Sequence, residues 1–251
     1  FRLLFNAYLS DLQNLSKLGS VFEEIFGGKG LRRYILAFQN PYEIRPTGGF
    51  LGSFAVIDIK DGKIVKLDVP AGGSYDLQGQ LNEYVTPPTP LLLSNKRWEF
   101  QDSNWFPDFP ASAQKILWFY RHSRNATADG VIAINADVLA QILSITGPIK
   151  DEKRGSILTA DNALSTIQEI VEFGPEKKMN KPKQVLSDLA GIFVEYFKNI
   201  KPADAMALLA NLNDALSQKN IQAYFTDEKT QNTMKEFGWN GEILPTTNQD
   251  Y

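Results

Sequence analysis

The sequence predicts an α/β fold, a mixed β-sheet covered by helices on both faces, and three observations carry the prediction. Strand-like runs rich in β-branched and aromatic residues alternate with stretches of helical periodicity. The run Gly130-Val-Ile-Ala-Ile134 is nearly all apolar, as a strand buried on both faces would be. Asp61-Gly62 lies between two strand-like runs and forms a hairpin turn, which places an antiparallel pair in the sheet.

In chain order, Leu4, Tyr8, Leu12, Leu15, Leu18 and Phe22 recur at three- and four-residue steps, predicting an amphipathic helix that Gly27-Gly28 stops. Strands are expected over 33–39, 50–59 and 63–69. From Pro70 to Phe109 there is little periodicity, and a long irregular segment inside a compact domain is usually functional or mobile. Pro110 suits the first turn of a helix running to about Ser123. A helix from Ala136 to Ile145 follows the strand at 130–134 and ends at Gly147-Pro148. Thr159 with Asn162 opens a helix to Phe173, and 183–199 and 202–218 read as two more. Ile221-Gln-Ala-Tyr-Phe225 is a late strand, and Asp227 caps a last helix that Gly238-Trp-Asn-Gly241 breaks. The organisation is an N-terminal amphipathic helix over 1–30, an α/β domain over 31–245 and the start of a linker over 246–251. There is no internal repeat.

The 251 residues, 43% hydrophobic and 22% charged, have the statistics of a globular protein. A net charge of −3 argues against broad affinity for nucleic acid or an anionic membrane, though a local basic pocket is compatible with it. The absence of cysteine excludes disulfides, thiolate catalysis and Cys-ligated zinc, and a serine-histidine triad would depend on His122 alone. No run of about 18 apolar residues spans a membrane. The chain opens on Phe1 without an initiator methionine and closes on Asp250-Tyr251, so it is expected to be a fragment, in which an upstream anchor or signal would not be visible.

Chemistry concentrates in two loops. Asn40-Pro-Tyr-Glu-Ile-Arg-Pro-Thr-Gly-Gly-Phe-Leu-Gly-Ser53 places Glu43, Arg45 and Thr47 between two strands. Pro41 and Pro46 extend the residues before them, and Gly48-Gly49 permits positive φ or close backbone approach. Such a loop could present N–H groups and a guanidinium to an anion; equally, Arg45 and Glu43 could pair to pin a turn. Gln101-Asp-Ser-Asn-Trp-Phe-Pro-Asp-Phe-Pro110 carries Asp102, Asn104 and Asp108 on a proline-stiffened, aromatic-rich loop. Asp102 and Asp108 could ligate Mg²⁺ or Ca²⁺ through oxygen, or else bond loop N–H groups and cap the helix at Pro110. Tyr75, Asp76 and Tyr84 are weaker candidates for a ligand-facing wall. His122 suits the helix C-terminus as a surface residue, and Lys177-Lys178 with Lys181-Pro-Lys183 read as a solvated lead-in to a helix.

Taken together, the first loop with its preceding strand, Asp-Ser-Asn-Trp-Phe-Pro-Asp-Phe-Pro, Asp-Gly-Val-Ile-Ala-Ile-Asn and the closing Phe-Gly-Trp-Asn-Gly resemble the bacterial domain of unknown function 4012 over about Leu31 to Gly241. That resemblance implies a location outside the cytoplasmic membrane, behind an N-terminal anchor. More distantly, Asp129–Ile134, Val138–Ile149 and Leu158–Leu164 resemble the order of elements in LytR-CpsA-Psr enzymes. Those enzymes are α/β/α sandwiches that transfer glycopolymers from a polyprenyl-pyrophosphate carrier to the cell wall, using arginines for the pyrophosphate and acids for magnesium. By type and loop position the resemblance implies Arg45 and Asp102 as catalytic residues, with Glu43, Thr47, Gly48, Gly49, Asn104 and Tyr75 toward ligand and Asp102 and Asp108 toward Mg²⁺. The partners it implies are a lipid-linked or phosphorylated glycan and a cell-wall polymer. Where those enzymes carry an arginine-rich run, this chain has Ser165-Thr-Ile-Gln-Glu-Ile-Val-Glu172, and an acidic face cannot replace guanidiniums toward pyrophosphate. A non-catalytic envelope binding or scaffold module is the alternative, and stacking of sugars on Trp98, Trp105 and Tyr75 is a third reading.

Overall fold

The structure, a computed structural model, describes residues 2–244, leaving aside the side chains of residues 2–11, 14 and 15. The predicted contacts of Leu4, Tyr8 and Leu15 and the linker at 246–251 lie outside the described residues. The first helix, α1 (Arg2–Ile25), is followed by strands β1 (Arg32–Asn40), β2 (Phe50–Lys60) and β3 (Lys63–Asp68). Asp61 and Gly62 both take positive φ, 51° and 72°, which matches the twist of the flanking strands and makes the β2–β3 hairpin tight. After helix α2 (Phe109–Arg124), strand β4 (Gly130–Asn135) returns parallel to β1, pairing Ile35 with Val131 and Ala37 with Ala133. Helix α3 (Asp137–Thr146), a small hairpin of β5 (Ile149–Asp151) and β6 (Ser156–Leu158), and helices α4 (Ala163–Phe173), α5 (Gln184–Lys198) and α6 (Pro202–Ser217) come next. Strand β7 (Ile221–Phe225) and helix α7 (Glu228–Glu236) close the domain.

The main sheet runs β3-β2-β1-β4-β7 and is mixed, with β1 and β4 its one parallel pair. Alternation along the central strands supplies two cores. Ile35, Ala37, Val131 and Ala133 point to one face, where Ala113, Ile116 and Phe119 of α2 and Phe100 cover them. Tyr34 and Phe225 point to the other, beneath Val21 of α1 and Met234 of α7, and Ile132 and Ile134 pack there with Val138 of α3 and Leu216 of α6. The sheet is therefore sandwiched between helical layers, as the sequence predicts. A separate cluster of Leu143, Leu158, Ala163, Val185 and Leu189 forms a helical flank of α3, α4, α5 and the β5–β6 hairpin.

Two features differ from the sequence reading. The β5–β6 hairpin was not expected, because three-residue strands are too short to show alternation. The irregular 70–109 stretch contains three 3-10 turns, Gly73–Leu77, Thr89–Leu93 and Phe100–Asp102. The helix-start signals act as read: Asp108 and Asp227 accept from Ala111 and Thr230 as N-caps, and Thr159 and Asn162 bond each other's backbone N–H before α4. No helix among the described residues is long and apolar enough to cross a membrane.

Candidate functional site

The two loops singled out in the sequence meet at one end of the sheet. The β1–β2 pairing slips between Phe38 and Gln39, so that Gln39 opposes Leu51 and Gly52 bulges out of the ladder. Such a bulge ends the regular strand and redirects the chain into a loop. Gly49 lets that loop return, since a Cβ there would fall 2.3 Å from the Asn40 carbonyl oxygen. Gly48, at φ 125°, packs against the Asn135 amide, where a side chain would also collide.

Arg45 extends from this loop with its Nη2 3.7 Å from Asp102 Oδ1, its Nη1 donating to the Ile44 carbonyl at 2.9 Å and its guanidinium 5.0 Å from the centre of the Phe50 ring. A single 3.7 Å approach is not the closed bidentate pair that would neutralise an arginine, and no pair to Glu43 forms among the described residues. The Asp102 carboxylate is buried; its Oδ2 accepts from Asn95 Nδ2 at 2.9 Å, and its backbone carbonyl accepts from Trp98 Nε1 at 2.9 Å. Burial raises the Asp102 carboxyl above the ordinary range, while Arg45 and Asn95 pull it partway back. Tyr75 stands beside Phe50 with ring centres 6.4 Å apart, and burial, with Glu43 and Asp102 nearby, raises its hydroxyl.

Thr47 and Asn104, expected to face ligand, are instead buried braces at 3% and 1% exposure. Asn104 Nδ2 donates to Gln39 Oε1 at 3.0 Å, Thr47 Oγ1 at 2.9 Å and the Gly49 carbonyl at 2.8 Å, while Thr47 Oγ1 donates to Gln39 Oε1 at 2.6 Å. Gln222 Nε2, from β7, donates to the Thr47 carbonyl at 3.1 Å. The reason is economical: a loop folded back on a sheet end buries backbone carbonyls, and amide side chains reach them. These residues fix the position of Arg45 relative to Asp102.

Asp108 is placed away from metal chemistry. One of its oxygens caps α2 through Ala111 N, and the other accepts from Ile243 N at 3.0 Å. Among the described residues no group of three or more acidic or histidine side chains is arranged to hold a metal. Asp102 alone, with one oxygen already bonded to Asn95, does not make a protein-held magnesium site. A depression of about 370 Å³ borders Asp108, Tyr224, Gln231 and Glu242, but Glu242 is paired with Lys235 there and Asp108 is spent on its cap.

The sequence places Lys183 in a solvated lead-in to a helix, and the structure corrects this. Its backbone N–H donates to the Ala71 carbonyl at 2.7 Å, its stem lies against Gly73, and its ammonium approaches Gly52 at the bulge. Burial lowers the ammonium below the ordinary lysine range, opposed by the charges of Glu43 and Glu172, and no ion pair to it forms among the described residues. Proximity to the first loop spans more than 130 residues of sequence, so only the folded chain reveals it. His122 is exposed at the end of α2 and stacks on Trp118. Trp98 is buried and Trp105 is packed against the core, so neither offers a free stacking face.

A family model described as "Protein of unknown function (DUF4012)" matches residues 29–171, which stops short of the Gly241 to which the motif resemblance was carried. No curated protein matches. Among solved structures, TagV of B. subtilis is similar over 84% of this chain and 81% of its own, at 7% identity and TM-score 0.45. Protein gbs0355 of Streptococcus agalactiae is similar over 83% and 73%, at 11% identity and TM-score 0.45. A structure described as the transcriptional regulator yvhJ from Bacillus subtilis is similar over 82% and 94%, at 11% identity and TM-score 0.34.

Proposed function

The chain belongs to the DUF4012 family, and from that premise we propose that its domain binds a phosphorylated or lipid-linked glycan between Arg45 and Lys183, in a cleft at the bulged end of β2. One observation carries the reading: two cations, neither closed into a neutralising pair, converge on the bulged end of β2 beside Phe50. A desolvated ammonium gains from an incoming anion, because a phosphate replaces the hydration that burial removed. Arg45 contributes the planar fork suited to phosphate oxygens, Asp102 holds its orientation, and Phe50 and Tyr75 supply an apolar wall for a sugar or a lipid-proximal segment. Any Mg²⁺ would enter with the phosphate, which must supply most of its oxygens. The extracytoplasmic setting, the membrane anchor and a cell-wall polymer as acceptor belong to the same reading and follow from the motif resemblance alone.

A binding module without transfer activity is the second reading, favoured by the single usable carboxylate and by the acidic Ser165–Glu172 helix. Calorimetry with pyrophosphate, with and without Mg²⁺, tests the site. Wild type should release binding heat, and Arg45→Lys and Lys183→Gln should each weaken affinity about tenfold, the loss of one charge-assisted bond. No heat under any condition, or equal affinity in both variants, removes the proposal. Metal-dependent heat abolished by Asp102→Asn favours transfer chemistry over the binding module.

A further inference from the structure

Around this cleft, large apolar side chains stand almost wholly in water. Ile44 is 89% exposed and Tyr42 74% on the β1–β2 loop, and Leu93 is 94% exposed on the Thr89–Leu93 turn. That turn is tied to the cleft, because Asn95 just after it donates to Asp102. Phe173, 80% exposed, comes just before the 3-10 turn Pro175–Met179 that precedes Lys183, and the exposed Met179 ends that turn. Three separate segments therefore meet the cleft, each with an apolar tip.

The same tips carry basic charge. Lys96 follows Leu93, and Lys177, Lys178 and Lys181 surround Met179, all exposed and none in an ion pair among the described residues. The neighbouring acids Glu43 and Glu172 act on the half-buried Lys183 ammonium. We propose that these tips form a membrane-docking rim that seats the cleft on an anionic lipid surface, Ile44, Leu93 and Phe173 entering the headgroup layer while the lysines meet the headgroups. This rests on the lipid-linked reading for its purpose, since a ligand carried in a bilayer would reach Arg45 only from that side. Its physical basis is independent of that reading. The charge of the lysines is what favours an anionic bilayer over a protein partner: headgroups meet each lysine and each apolar tip singly, whereas a protein partner is recognised by a contiguous patch with a packed centre. The net charge of −3 excludes broad membrane affinity, but not a local basic rim.

Co-sedimentation of the chain with phosphatidylglycerol vesicles and with phosphatidylcholine vesicles is the test. Binding is expected to phosphatidylglycerol, weakening with salt, and little to phosphatidylcholine. Combining Ile44→Ser, Leu93→Ser and Phe173→Ser, which remove the apolar tips without adding charge beside Arg45 or Lys183, should reduce vesicle affinity at least tenfold with unchanged circular dichroism and unchanged pyrophosphate heat. Lys177→Glu with Lys178→Glu should reduce it by the charge route alone. The rim is overturned if wild type ignores phosphatidylglycerol vesicles, if neither variant changes binding, or if the apolar tips drive self-association in ultracentrifugation without lipid binding. Pyrophosphate heat in wild type reports the cleft separately, so loss of one result leaves the other readable.

Discussion

Asp102 is held where its charge is costly. Buried beside Trp98, its carboxyl is raised by desolvation, and Arg45 and Asn95 recover only part of the loss. A raised carboxyl means that the native state holds the proton more tightly than the unfolded chain. Stability from this group is therefore fully present below the unfolded value of about 3.9 and falls as pH rises through the folded value. Asp102→Asn should then be at least as stable as wild type at neutral pH, with the difference shrinking in acid, as denaturant titrations at several pH values would measure. A markedly less stable variant at neutral pH would mean that attraction to Arg45 outweighs burial. At this scale the sequence is half legible. Arg45 and Asp102 stand out because charged residues on Gly/Pro-rich loops need a reason, whereas Thr47 and Asn104 have the same polar chemistry whether they meet a ligand or, as here, a buried carbonyl. Lys183 is indistinguishable from its solvated neighbours until tertiary packing half-buries it.

At the scale of elements, one arginine stitches the helical flank. Arg154, at the β5–β6 turn, bonds Asp151 at 2.8 Å, Glu176 at 2.8 Å and Asp188 of α5 at 2.9 Å, joining the hairpin, the Pro175–Met179 turn and the helix that Lys183 leads into. Its side chain is 10% exposed, so removing it strands the partly buried carboxylates of Asp151 and Glu176 and leaves Asp188 to Lys153 alone among cations. Arg154→Ala should cost about 3–5 kcal/mol, and Arg154→Lys should recover little, because one ammonium cannot serve three separately placed acids. Denaturant unfolding monitored by circular dichroism checks both, and a loss below about 1 kcal/mol, the worth of an exposed pair, would refute the stitch. Long elements are legible because period and caps agree, as at Asp108 and Asp227. The hairpin carrying Arg154 is not, since its strands have too few residues for a period and its stability comes from the charges that the fold collects.

The whole molecule is a two-faced sheet with a flank attached, and the flank carries half of the proposed site. β1 and β4 are central, paired on both sides and covered on both faces, whereas the cluster of Leu143, Leu158, Ala163, Val185 and Leu189 draws no residue from the main sheet. Cores that share few contacts open separately, each with its own free energy. Amide exchange should therefore be slowest in β1 and β4 and faster through α4 and α5. Leu189→Ala, which removes a side chain 4% exposed, should cost about 2–5 kcal/mol within the flank, and should accelerate exchange in α4 and α5 while β1 and β4 keep their protection. Because Lys183 immediately precedes α5 while Arg45 is braced to the sheet through Thr47, Asn104 and Gln222, loosening the flank should also weaken pyrophosphate binding with Arg45 in place. Uniform acceleration across the molecule would show one cooperative unit instead. Unchanged pyrophosphate affinity alongside a loosened flank would separate Lys183 from the site.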